Sequence, residues 1–168
     1  LSSLVSPGKL LTSNFRPNMV GWSVIEACLQ PDITKNITEL IRQTSTDLPQ
    51  DVEAALRAAA QNEETGSAAR SALETIIENV ELSRRNGTPC CQDTGTPIFL
   101  VRHPQGFSTR LLRQQIRDGV AEATRLSFMR PNAVNSITGK NTGNNLGEDD
   151  FPVIHFEERD GEELHIDL

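Results

Sequence analysis

Three apolar stripes with helical spacing precede the first run that can form a strand. That order limits the fold more than any other feature of this 168-residue chain. Ile37, Leu40 and Ile41 recur at i, i+3 and i+4, which lines one side of an α-helix. Asp47-Leu48-Pro49 reads as the start of a second helix, because proline is tolerated in a first turn where its missing N–H would have no partner. Val52, Leu56 and Ala59 keep the same period. After a polar break at residues 62–66, Ala69, Leu73, Ile76, Ile77 and Val80 mark a third helix. Asn86-Gly87, with Pro89 just beyond, is its stop signal, since these residues take the left-handed conformation that closes a helix.

The period then changes. Residues 88–96 read as a loop, and Ile98-Phe99-Leu100-Val101, within residues 97–101, reads as a short buried strand bounded by turn residues. Ser108 can cap a fourth helix with Leu112, Ile116, Val120 and Ala123 on one face, ending near Phe128. Residues 129–150 form a long loop rich in Asn and Gly. Residues 151–156 and 163–168 read as two strands, and Asp160-Gly161 between them is a hairpin signal. The expected class is α+β, an N-terminal helical part followed by the start of a mixed β-containing region. The first residue is Leu1 and the last strand reaches the final residue, so a truncated chain is expected. Residues 1–32 are Ser-rich and punctuated by Pro and Gly, and read as a leader or flexible segment. The absence of acids before Glu26 also suits an organelle-targeting segment, although only Lys9 and Arg16 are basic there.

Composition removes several function classes. Acids number 23 and bases 16, a net charge of −7, so there is no general attraction to nucleic acid or anionic lipid. No apolar run approaches the ~20 residues of a membrane span. Three cysteines, Cys28, Cys90 and Cys91, exclude a disulfide framework and a complete four-thiolate metal site. There is no phosphate-cradling glycine loop and no nucleophile elbow. His103, His155 and His165 have no ligand spacing and read as structural or exposed.

Two loops could carry chemistry. Thr88-Pro89-Cys90-Cys91-Gln92-Asp93-Thr94-Gly95-Thr96 lies between a helix and a strand. It offers a soft thiolate for zinc, copper(I) or an iron–sulfur cluster, and a carboxylate able to accept a proton. The same residues also fit two small core cysteines followed by a simple turn. The second loop runs Met129-Arg130-Pro131-Asn132-Ala133-Val134 and then Lys140-Asn141-Thr142-Gly143-Asn144-Asn145. Arg130 is a planar fork suited to a carboxylate, and equally an arginine that a helix C-terminus favours. The Asn/Gly stretch could bind a substrate through amide groups or be a tight turn.

Taken together and in order, these segments resemble a known family. Pro89-Cys90-Cys91-Gln92-Asp93-Thr94-Gly95 resembles the Pro-x-Cys-Gln-Asp-Thr-Gly signature of the class I fumarases and L-tartrate dehydratases, which are iron–sulfur hydro-lyases. Arg130-Pro131-Asn132-Ala133-Val134 and Asn141-Thr142-Gly143 match at the expected distance downstream. The resemblance covers residues 33–168 and corresponds to the N-terminal part of the family's α-type domain, which is incomplete here. It implies reversible hydration of fumarate to malate, or alternatively L-tartrate dehydration by an α subunit. It also implies a 4Fe–4S cluster held by three cysteines, with one iron open.

On that resemblance Cys91 is a metal ligand, and Cys90 occupies a variable position. Gln92 and Asp93 face the substrate, Asp93 partners the proton-transfer group, and Arg130 holds a substrate carboxylate. The remaining cluster ligands and the β-type domain are expected outside this chain, so the chain alone should be inactive. Cys28 lies in the unmatched leader. Implied partners are a C4 dicarboxylate and a β-type domain or subunit, in a homodimer or αβ assembly in the cytoplasm. Neither nucleic acid nor membrane is an expected partner. A reading from another class is a non-catalytic helical interaction module derived from the family.

Overall fold

The structure is a computed structural model that describes residues 30–91, 96–147 and 151–168, with the backbone of residues 2–5. Its elements are β1 (Ser2–Val5), α1 (Thr34–Thr46), α2 (Gln50–Asn62), α3 (Ala68–Asn86), β2 (Ile98–His103), α4 (Thr109–Arg125), β3 (Val153–Glu158) and β4 (Leu164–Asp167). The α+β expectation holds: helices α1–α3 precede strands β2–β4 of a small mixed sheet, and β1, ahead of the helices, joins that sheet at its edge beside β4.

Helix α4 begins where Ser108 can cap it, the hydroxyl accepting from the Leu111 N–H at 3.3 Å. Its apolar stripe, Leu112, Ile116, Val120 and Ala123, is fully buried. Ile37, Leu40 and Ile41 of α1 share that core with Phe99 and Val101 of β2 and with Ile154, Leu164 and Ile166 of β3 and β4. One core therefore lies between α1, α4 and one face of the sheet. The two helices meet at Gly119. A Cβ there would stand 2.6 Å from Ile37 Cγ2 and 2.7 Å from Ile37 Cβ, far inside van der Waals contact. The Thr38 hydroxyl, 3.0 Å from the Thr34 carbonyl, lies 3.4 Å from the Gly119 carbonyl across the same seam.

Helix α3 is closed at both ends as its sequence predicts. Ser67 accepts from the Arg70 N–H at 3.1 Å, and Gly87 takes φ 63° with its N–H on the Ser83 carbonyl. The faces of α2 and α3 differ from the expected stripes. Val52 and Ile76 are exposed, Leu56 is half-buried, and the buried positions are Ala60, Val80 and Ser83. These helices pack mainly on each other, so a narrow seam is enough and the outer apolar residues stay in solvent.

The sheet order is β1-β4-β2-β3, with β2 parallel to β3 and antiparallel to β4. Asp160-Gly161 therefore does not close a hairpin, because β2 lies between the two strands it joins. Crossing an intervening strand means spanning two strand spacings, about 10 Å, which a two-residue turn cannot do. Residues 159–163 make the crossing, and the Arg159 N–H donates to the His103 carbonyl at 2.9 Å on the way. The expectation of a buried β2 is also corrected. Phe99, Val101 and His103 point into the core, whereas Ile98 and Leu100 remain 49% and 44% exposed. Among the described residues helices cover one face of the sheet only, so side chains alternate between core and solvent.

The Gly119 contact yields a stability prediction. Alanine normally stabilises a helix interior by up to about 1 kcal/mol over glycine. Here Gly119→Ala should instead destabilise by about 1–3 kcal/mol, because the added methyl overlaps Ile37. Urea unfolding should show a lower midpoint at unchanged slope, and a midpoint at or above that of the parent protein would contradict the close helix contact.

Candidate functional site

The cysteine loop leaves α3 through its left-handed Gly87 and is tied down at once. The Thr88 N–H donates to the Ser83 carbonyl at 3.1 Å, closing the helix end. The Cys90 peptide is held on both sides: its N–H donates to the Ser45 carbonyl of α1 at 2.9 Å, and its carbonyl accepts from Asn79 Nδ2 of α3 at 2.9 Å. Cys90 is half-buried, and burial pushes its thiol up from the ordinary range, with a hydrogen bond to Ser83 partly opposing. Cys91, one residue on, is a free and exposed cysteine. Gln92 and Asp93 lie outside the described residues.

The second loop is organised around a buried asparagine. Asn145 is 2% exposed and takes φ 55°, a conformation that asparagine adopts more readily than most residues. Its Oδ1 accepts from the Asn132 and Ala133 amides at 2.8 and 3.0 Å. Its Nδ2 donates to the Arg130 carbonyl at 2.7 Å and to the Thr124 hydroxyl of α4 at 3.1 Å. One side chain thus clamps residues 130–133 against α4. The rest of the Asn/Gly stretch is turn architecture. Asn135 Oδ1 accepts from the Ile137 and Thr138 amides, Asn141 Nδ2 donates to the Pro131 carbonyl, and Val134 bridges Asn141. Those amide groups serve the loop itself, which favours the tight-turn reading. The Arg130 guanidinium is exposed and makes no hydrogen bond or ion pair with another described residue.

The two loops meet at the last turn of α1. Ser45 accepts the Cys90 N–H with its carbonyl, and its hydroxyl lies 2.7 Å from the Phe128 carbonyl, two residues before Arg130. A cavity of about 250 Å³ lies alongside, lined by Ser45, Thr96, Ile98 and Met129 among others. Cys91 and Arg130 thus belong to loops anchored on one residue, although they are far apart in sequence.

Charge separates Arg84 from Arg130. Arg84, in the last turn of α3, lies 2.6 Å from both Asp47 and Glu53, and Arg57 links Glu53 to Glu81. Arg84 is neutralised, and it holds the carboxyls of Asp47 and Glu53 below the usual carboxylate range. Among the described residues Arg130 has no such neighbours. Among the described residues no three His, Cys, Asp or Glu side chains gather closely enough to hold a metal ion. Among the described residues of the two loops, the accessible thiol is that of Cys91.

Comparison with known proteins fits this arrangement. Residues 34–168 match the family model described as fumarate hydratase (fumerase). The chain belongs to the fumarate hydratase family. It is 40% identical over 134 residues to a putative class I fumarate hydratase of Geobacillus stearothermophilus, covering 80% of the chain and 26% of that relative. It is 33% identical over 138 residues to a putative L(+)-tartrate dehydratase subunit alpha of Methanocaldococcus jannaschii, covering 80% of the chain and 48% of the relative. The L(+)-tartrate dehydratase subunit alpha of Escherichia coli is 32% identical over 117 residues, covering 69% of the chain and 37% of its own length. The chain thus spans about a quarter to a half of the length of these relatives.

Ser45 and Asn145 are the site residues that sequence reasoning passes over. Asn145 sits at the end of the singled-out Asn/Gly stretch, but nothing in the stretch distinguishes the buried asparagine from its neighbours. Ser45 lies in a Thr-Ser-Thr run at a helix end and carries no spacing signal. The histidines behave as expected. His103 is buried beside the Pro104 carbonyl with its ring edge-on to Phe156, His155 is exposed, and His165 lies 3.0 Å from Asp167. No helix among the described residues is long and apolar enough to cross a membrane.

Two predictions follow from these contacts. Asn145→Ala leaves the buried Ala133 amide without its acceptor and takes one of two acceptors from the Asn132 amide, which also donates to the Arg130 carbonyl, and should cost roughly 1–3 kcal/mol of stability. Amide exchange at those two positions should accelerate. Asp47 and Glu53 carry depressed folded-state pKa values, so their stabilising share is present above the ordinary carboxylate range and is lost as pH falls through the lowered values. Thermal melts of Arg84→Ala and the parent should therefore differ near pH 7 and converge in acid well below the ordinary carboxylate range. A gap that persists in acid would show that Arg84 acts through packing.

Proposed function

We propose that this chain supplies one cluster ligand and part of the substrate site of an iron–sulfur hydro-lyase that interconverts fumarate and malate. The observation that carries the reading is the joint at Ser45, which anchors both the loop bearing exposed Cys91 and the segment bearing exposed Arg130.

The chemistry needs those residue types. Hydroxide is a poor leaving group, and a proton on the carbon next to a carboxylate is weakly acidic. A 4Fe–4S cluster, when bound, supplies a Lewis-acidic iron that polarises hydroxyl and carboxylate oxygens. Cys91 is the residue we assign to hold it, since it is exposed while Cys90 is half-buried and burial pushes its thiol up. One thiolate of three cannot retain a cluster, so this chain by itself is expected to be inactive and to depend on ligands from elsewhere in the assembly. Arg130 receives one carboxylate of the C4 dianion through its two-pronged N–H fork, and its charge offsets that of the substrate. Gln92 orients the substrate by hydrogen bonding. Asp93 takes part in moving the carbon-bound proton.

A β-type domain or subunit completes the site in a homodimer or αβ assembly in the cytoplasm. The tartrate dehydratase α subunits among the relatives keep L-tartrate as a second substrate reading, because both substrates are C4 dicarboxylates.

The test is the assembled enzyme, reconstituted anaerobically with iron and sulfide and assayed on fumarate, malate and tartrate side by side. Cys91→Ser should lose most cluster iron and nearly all turnover, whereas Cys90→Ser should keep both. Arg130→Lys should raise KM about 10–100-fold, since a point charge replaces a bidentate fork. Asp93→Asn should lower kcat by about 10²–10⁴ with little change in KM. Full cluster content in Cys91→Ser would falsify the ligand assignment, and turnover on tartrate alone would move the substrate reading to the second.

A further inference from the structure

Ser45 makes two unrelated contacts with two different parts of itself. Its backbone carbonyl accepts the Cys90 N–H at 2.9 Å, and its hydroxyl lies 2.7 Å from the Phe128 carbonyl. The same hydroxyl is 2.7 Å from the Ile41 carbonyl one turn back, the partner that a serine inside a helix ordinarily takes. Its one proton is therefore shared between the Ile41 carbonyl within α1 and the Phe128 carbonyl in the chain leading to Arg130, with the Arg42 carbonyl a more distant third at 3.4 Å. The Cys90 contact needs no side chain at position 45, whereas the Phe128 contact needs the hydroxyl. On the far side of Cys90, Asn79 holds the carbonyl from α3. The cysteine loop is therefore set by the Ser45 backbone and the Asn79 amide, and the approach to Arg130 by the Ser45 hydroxyl.

We infer that Ser45 is a positioning residue that fixes the spacing between Cys91 and Arg130, with its hydroxyl governing the arginine side and Asn79 governing the cysteine side. The inference rests on the hydro-lyase reading, in which Cys91 holds the cluster and Arg130 holds a substrate carboxylate. Substrate must then span these two groups, and a shift of the arginine segment alone alters dicarboxylate binding without altering the cluster. A cavity lined in part by Ser45 lies alongside, and threonine is the substitution that keeps the hydroxyl.

The experiment compares Ser45→Ala, Ser45→Thr and Asn79→Ala in the assembled, anaerobically reconstituted enzyme. Four quantities are measured: KM and kcat on fumarate, the electron paramagnetic resonance spectrum of the dithionite-reduced cluster, and hydrogen exchange at the Cys90 and Asn132 amides. Ser45→Ala should raise KM about tenfold with kcat within about threefold, since a small misplacement of a binding group is costly. Its cluster spectrum should be unchanged, its Asn132 amide should exchange faster, and its Cys90 amide should stay protected. Ser45→Thr should restore the parent KM. Asn79→Ala should show the reverse pattern, an altered cluster spectrum with KM within about twofold. Equal losses in KM and kcat, faster exchange at both amides, or no rescue by threonine would mean that Ser45 only stabilises α1, and the inference would fall. If the parent enzyme holds no cluster or does not turn over fumarate, the function proposal fails by itself. The Ser45 assignment is then decided by the exchange pattern, where selective loss at Asn132 supports it and any other pattern overturns it.

Discussion

The contact between Gly119 of α4 and Ile37 of α1 fixes where the far end of α1 can lie. With no Cβ at position 119, the Ile37 side chain presses directly on the α4 backbone. Both helices then reach the same face of β2, where Phe99 and Val101 are fully covered. Two turns beyond Ile37, α1 ends beside the place where α3 releases the cysteine loop and α4 releases the arginine segment. A wider crossing at Gly119 would carry Ser45 away from one or both loops. Core packing and the candidate site are in that sense one problem, solved at a single seam between helices.

Legibility in the sequence follows the range of the physics. Helix α4 is readable because Ser108, Leu112, Ile116, Val120 and Ala123 are a local pattern of capping and period, and the core accepts that pattern unchanged. The end of α3 is readable because Asn86-Gly87 states a backbone conformation. The outer faces of α2 and α3 are less so, since Ile76 and Val52 look like core until the thinness of the helix pair is known. Strand order is not local at all: nothing in Asp160-Gly161 reveals that a third strand comes between its neighbours. In the site, Cys91 and Arg130 are singled out by chemistry, while Ser45 and Asn145 act through geometry that only the fold supplies.

The electrostatic arrangement divides labour among the arginines. Arg84 is spent on Asp47 and Glu53, tying the end of α3 to the end of α1 and to α2. These are exposed pairs whose contribution to stability is small taken singly, and their effect is to hold the base of the cysteine loop in register. Arg130 keeps its charge unpaired among the described residues. Net charge is negative over the whole chain, yet the sign that an anion meets at this loop is set locally.

The central place of β2 bears on the way the chain matures. Its apolar strand is made early, but Ile98 must wait for Val153 and Leu100 for Asp167 before either edge is paired. Until then α1, α4 and β2 can collapse together with two rows of unsatisfied N–H and C=O groups open to any passing strand. Long-range pairing of this kind is slow, and the waiting species is prone to aggregate. That exposure ends only when residues 153–167 close over β2 and pair both of its edges.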